Sequence, residues 1–103
     1  MKLTIIREDN TVYKDGISYS NLDLSNIPTN IHALQFNDSV NVGWIEFSEN
    51  DFGIKEANEN ITSLPSWAET AITQWNEAQV AEETRKSLEA AEDQPVTTGT
   101  TTI

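Results

Sequence analysis

No glycine or proline interrupts the chain between Pro65 and Pro95, and alanine and glutamate dominate that run. Residues of this kind lose little rotamer freedom in a helix, so the stretch predicts one long helix reaching about Glu92. Its start reads in two ways. Ser66-Trp67-Ala68-Glu69 fits a capping box, in which the Ser66 hydroxyl accepts from the Glu69 amide while the Glu69 carboxylate reaches back. Alternatively, Pro65 takes the first helical position and moves the start by about one residue. Whatever precedes this segment must offer it a surface, because a helix of this composition is held mainly by what its apolar stripe packs against.

The stripe occupies only the first half. Trp67, Ala68, Ala71, Ile72, Trp75, Ala78 and Gln79 recur at spacings of three and four. Beyond them come Glu82, Glu83, Arg85, Lys86 and Glu89, with only Leu88 and Ala91 near the same side. The expectation is a helix whose first half packs on the domain and whose second half extends past it, supported by ion pairs such as Glu82 with Lys86 at i+4.

The surface it needs comes from the preceding residues, which read as short strands. Leu3 and Ile5 alternate with Lys2 and Thr4, and Thr11-Val12-Tyr13-Lys14 follows a polar break. Asp15-Gly16 is a two-residue type I′ hairpin signal, with Ile17 and Tyr19 resuming beyond it. Leu22 and Leu24 continue the alternation as an irregular edge. After the break at Pro28, Ile31-His32-Ala33-Leu34-Gln35-Phe36 sets His32, Leu34 and Phe36 on one face and Ala33 and Gln35 on the other. Val42 to Ser48 returns as its hairpin partner, and Gly43 within it suggests a bulge or a close backbone approach. Residues 49–62 read as a connecting loop anchored in the core by Phe52, Ile54 and Ile61.

The fold class expected is therefore α+β. A small twisted antiparallel sheet of four or five strands (residues 1–64) carries one long helix (65–93) packed on it, followed by a flexible tail (94–103). All of it is one domain, as the length of 103 residues requires. Trp44, Trp67 and Trp75 are expected to form the core where the helix crosses the sheet, the alternative being that Trp75 or Trp67 sits in a partner interface.

Composition narrows the chemistry. With 17 acidic against 6 basic side chains, the net charge is −11, the wrong sign for a nucleic-acid binder. The absence of cysteine removes disulfides, zinc-thiolate sites and thiol catalysis. A single histidine, His32, removes any site that needs two imidazoles, and a lone histidine in a strand reads as structural or surface-exposed. Glu82 and Glu83 are adjacent, so on a helix they diverge and form no carboxylate pair. The four glycines are scattered, without a phosphate loop, and no calcium-loop register surrounds Asp51. These features predict no enzyme, no cofactor and no metal. No apolar run reaches the length of a membrane span or a signal peptide, so a cytosolic protein is expected.

Three segments have a familiar order: Ile31-His32-Ala33-Leu34-Gln35-Phe36-Asn37, Gly43-Trp44-Ile45-Glu46-Phe47, and Asn60-Ile61-Thr62-Ser63-Leu64-Pro65-Ser66-Trp67. With Lys2 to Ile6 and Val12 to Gly16 at the start, they resemble small bacteriophage tail proteins encoded near tail-fibre genes, several described as tail-fibre assembly proteins. The resemblance spans about residues 1–75, with Phe36 where such proteins tend to have tryptophan. It implies a role in virion assembly, as a small structural component or fibre assembly chaperone. The partner would be a phage tail or tail-fibre protein or a further copy of the chain, met in the host cytoplasm or in the virion tail. No catalytic residues come with it. Trp75, Gln79, Leu88 and Ala91 are the candidate partner-binding residues. The rival expectation, from charge alone, is an inhibitor that imitates DNA to block a host nucleic-acid-binding enzyme.

Overall fold

The computed structural model describes residues 1–93, with side chains through Glu89. Its elements are β1 (Lys2–Ile6), β2 (Thr11–Lys14), β3 (Ile17–Tyr19), β4 (Ile31–Asn37), β5 (Val42–Phe47), β6 (Glu59–Ile61) and α1 (Ser66–Asp93). The strands form one antiparallel sheet of six, in the order β3-β2-β1-β4-β5-β6. The α+β class is the expected one, with an additional strand. β6 lies in the stretch read as loop, where three residues pair with Gly43–Ile45 on β5. Three residues are too few to show a period of two, so only the pairing reveals the strand. The tail expected at 94–103 lies outside the described residues.

Local chemistry sets the β2–β3 hairpin as expected. Asp15 and Gly16 both take positive φ, 51° and 85°, the pair a type I′ turn requires. The connection from β3 to β4 departs from the expectation. Leu22 and Leu24 do not extend an edge strand; the chain returns from the sheet edge to its centre, and Leu24 and Ile27 are buried on the way. This crossing joins the helix through the Asp23 amide, which donates to Gln74 Oε1 at 3.4 Å, and the Asn26 side-chain amide, which donates to the Trp67 carbonyl at 3.4 Å.

The core lies between one face of the sheet and this outer layer. Leu3, Ile5, Val12, Leu34, Phe36 and Ile45 supply the sheet side, and Ala68, Ala71 and Trp75 the helix side. Gly43 makes room for Phe36. A Cβ there would stand 2.3 Å from the Gln35 carbonyl oxygen and 2.6 Å from the Phe36 ring, so this is the close approach that its place in a strand suggests.

The helix begins at Ser66, and its first turn closes through the Ala68 amide, which donates to the Pro65 carbonyl at 3.0 Å. Among the described residues no Ser66–Glu69 capping pair forms, and Pro65 precedes the helix rather than opening it. The apolar stripe behaves as predicted up to Trp75. Its indole N–H donates to the Ile17 carbonyl at 2.9 Å, Tyr19 packs edge-on against the ring at 5.4 Å, and Lys14 Nζ stands 4.5 Å above it. A helix of 28 residues is about 42 Å long, more than the sheet can cover. Its far half runs beyond the domain, where Leu88 stands exposed.

Two placements correct the sequence reading. Trp44 does not join Trp67 and Trp75: it sits on the opposite face of the sheet and stays 39% exposed. His32 does not share a face with Leu34 and Phe36, because the β4–β5 register shifts between Ile31 and Ala33. That bulge returns Ile31 to the core face and moves His32 out of the alternation.

Candidate functional site

The partner-binding candidates on the helix separate by position. Trp75 is 3% exposed, with its indole proton, ring edge and ring face all engaged inside the domain. It is a core residue and presents nothing to a partner. Gln79 is half-buried where the helix leaves the sheet. Leu88 is 61% exposed on the projecting half, and the Ala91 side chain lies outside the described residues. The ion pairing there also differs from expectation. Arg85, not Lys86, takes Glu82, and it reaches Glu89 at 2.5 Å as well, bridging one turn in each direction. The Arg85 hydrogen bond holds the Glu82 carboxyl below its ordinary range, and the same pairing raises the guanidinium.

The loop between β5 and β6 places its apolar residues where the sequence reading did not. Phe52 and Ile54 were expected to anchor the loop in the core, yet they are 86% and 61% exposed; of the three anchors only Ile61 packs on the core. The tip is nonetheless fixed. Asn50 Oδ1 accepts from the amides of Phe52 at 2.9 Å and Ile54 at 3.0 Å, the Asn50 amide donates to the Ile54 carbonyl at 2.8 Å, and Gly53 turns the chain at φ 73°. The side chain of Asn50 thus holds open a turn that displays two large apolar groups. Alternation cannot detect such a site; an Asn three residues before a Gly within an apolar pair is the signal that was there to read.

The second exposed feature is the sheet face that no helix covers. Register aligns Tyr13, Thr4, Gln35 and Trp44 in one row across β2, β1, β4 and β5. Thr4 Oγ1 donates to Gln35 Oε1 at 2.6 Å, and the Trp44 indole N–H donates to Glu46 Oε2 at 2.9 Å. Polar partners therefore orient the side chains between and beside the two aromatic rings. A shallow depression of about 220 Å³ lies along this row, walled by Val42, Trp44, Gln35 and Lys2.

A third cluster joins the ends of three strands. Glu8 Oε1 accepts from the Ser48 hydroxyl at 2.9 Å and meets His32 Nδ1 at 3.2 Å, with the Arg7 guanidinium 3.6 Å away. The Ser48 hydroxyl is the main cause that lowers the Glu8 pKa, and His32 adds to it. A hydroxyl nucleophile relay needs the imidazole between hydroxyl and carboxylate. Here the carboxylate stands between them and accepts the hydroxyl hydrogen bond itself, so the arrangement is a clamp that ties the end of β1 to the β4 bulge and the end of β5.

Among the described residues no group of three or more His, Asp or Glu side chains could hold a metal ion, and no helix is long and apolar enough to cross a membrane. The fold defines a class: an open-faced antiparallel sheet with one helix on one side, and exposed apolar groups fixed by polar neighbours. The chain matches no protein-family model, no curated protein and no solved structure.

Proposed function

We propose that this protein acts by protein–protein contact in the assembly of a bacteriophage tail or tail fibre, as a small structural component or a fibre assembly chaperone. Two independent lines support the reading: the resemblance carried by the segments at Ile31, Gly43 and Asn60, and the surface chemistry. The observation that carries it is the Phe52–Ile54 tip, exposed yet held by Asn50. A large aromatic displayed to water on a fixed turn binds without the ordering cost of a mobile loop, and such anchors dominate interface energies. Leu88 on the projecting helix gives a second apolar contact at a distance from the domain. The DNA-imitating alternative fits this surface less well. Glu82 and Glu89 both pair with Arg85, which breaks up the row of unpaired negative charge that imitation of a phosphate backbone requires.

The test is recovery of the tagged protein from infected cells, with mass spectrometry of what accompanies it. Phe52→Ser with Ile54→Ser should leave folding intact and deplete a tail or tail-fibre protein by at least about tenfold, the loss of one anchor's worth of binding. Recovery of a host nucleic-acid enzyme instead, in a salt-sensitive complex indifferent to these substitutions, would sink the reading.

A further inference from the structure

We propose that the uncovered face of the sheet is a self-association surface, on which a second copy of this chain docks face to face.

Charge is the first argument. The molecule carries −11, yet the strand residues facing this side include only two charged groups, Lys2 and Glu46, of opposite sign. The remaining charges stand on the loops, the helix and the opposite face. Two copies meeting elsewhere would bring like charges together; meeting here they bring a neutral face against a neutral face.

Symmetry is the second. Along the row, Thr4 and Gln35 hold the centre, with Tyr13 one strand outside Thr4 and Trp44 one strand outside Gln35. A two-fold axis lying in the interface, parallel to the strands and midway between β1 and β4, exchanges these positions. Tyr13 of each copy then lies over Trp44 of the other, and Thr4 over Gln35. The same operation sets Lys2 against Asn37 and Glu46 above Thr11, which is buried with its hydroxyl on the Asp9 carbonyl and Ser20, so no charge meets its like. One patch satisfies both partners, as an isologous contact requires. The depression beside Trp44 gives the incoming Tyr13 ring a place to enter.

Area sets the strength. A sheet of this width and strand length offers roughly 500 Å² per copy, below the roughly 800 Å² of a standard interface. The dimer is therefore weak and reversible. Because the copies repel at long range through their net charge, salt strengthens it, the reverse of an association held by ion pairs.

Sedimentation velocity on the full chain, from about 10 μM to about 1 mM and at low and high sodium chloride, tests this directly. The expected result is a sedimentation coefficient that rises with concentration and rises further with salt. Val42→Glu, at a residue 57% exposed on this face, should weaken the dimer at least about tenfold. Tyr13→Ser, at the other end of the row, should do the same if the first variant perturbs β5. Leu88→Asp and Phe52→Ser should leave the dimer unchanged. A monomer at every concentration and salt, or a dimer abolished by Leu88→Asp but not by the face variants, overturns the proposal. Neither result bears on the tail-assembly reading, whose own test turns on Phe52 and Ile54.

Discussion

Trp75 shows how much one side chain can close. Its ring fills the junction of helix, β2 and β3, while its N–H satisfies the Ile17 carbonyl near the edge of the sheet. Replacement by alanine should cost about 3–5 kcal/mol by removing the ring and leaving a cavity. Phenylalanine keeps most of the volume but loses the hydrogen bond, so its cost should be nearer 1–2 kcal/mol. Urea unfolding of the two variants checks both figures. Equal losses would mean that packing is minor at this site and the hydrogen bond dominates. Trp44, identical in chemistry, has no such role, because register turns it to the other face. Nothing in the residue type distinguishes the two; their places in a helix stripe and on a strand do.

At the scale of elements, the helix divides at about Gln79 into a packed half and a projecting half. The packed half is held by Ala68, Ala71 and Trp75, the projecting half by its own hydrogen bonds and the Arg85 pairs. Exposed pairs of this kind are screened by water and add little, so the projecting half should open far more often than the sheet. Limited trypsin digestion should therefore cut after Arg85 and Lys86 before it cuts after Arg7 or Lys14, which are tied to the Ile31 carbonyl and to Asn76 respectively. First cleavage after Lys14 would show that the hairpin, not the helix end, is the weaker element. The division was legible in the sequence, since the apolar spacing visibly stops. The pairing of Glu82 with Arg85 rather than Lys86 was not, because i+3 and i+4 neighbours are equally available on a helix and side-chain geometry chooses between them.

For the whole molecule, the clamp around Glu8 links β1, β4 and β5 and makes stability depend on pH. The Glu8 carboxyl is held below its ordinary value of 4.5, chiefly by the Ser48 hydroxyl and then by His32. A depressed carboxyl stabilises the fold fully above its unfolded pKa. That contribution is lost as pH falls through the lower, folded value. Thermal melts from about pH 7 to about pH 3 should show a shallower fall in Tm for Glu8→Gln than for the parent chain, since the variant has no such proton to take up. Parallel curves for the two would show that Glu8 contributes nothing to acid sensitivity.

The sequence by itself determined the α+β class, the Asp15-Gly16 turn, the long helix and the absence of cysteine chemistry, because each is written in local conformational preference or in composition. It did not determine β6, the crossing of residues 20–30 over the core, the bulge at His32, or which tryptophan is buried. Those depend on which strand lies beside which and in what register, and a shift of one residue exchanges the two faces of a strand. The exposed Phe52 and Ile54 follow the same rule. Hydrophobicity alone sends them inward, and only the assembled turn, closed by the Asn50 side chain, keeps them in water.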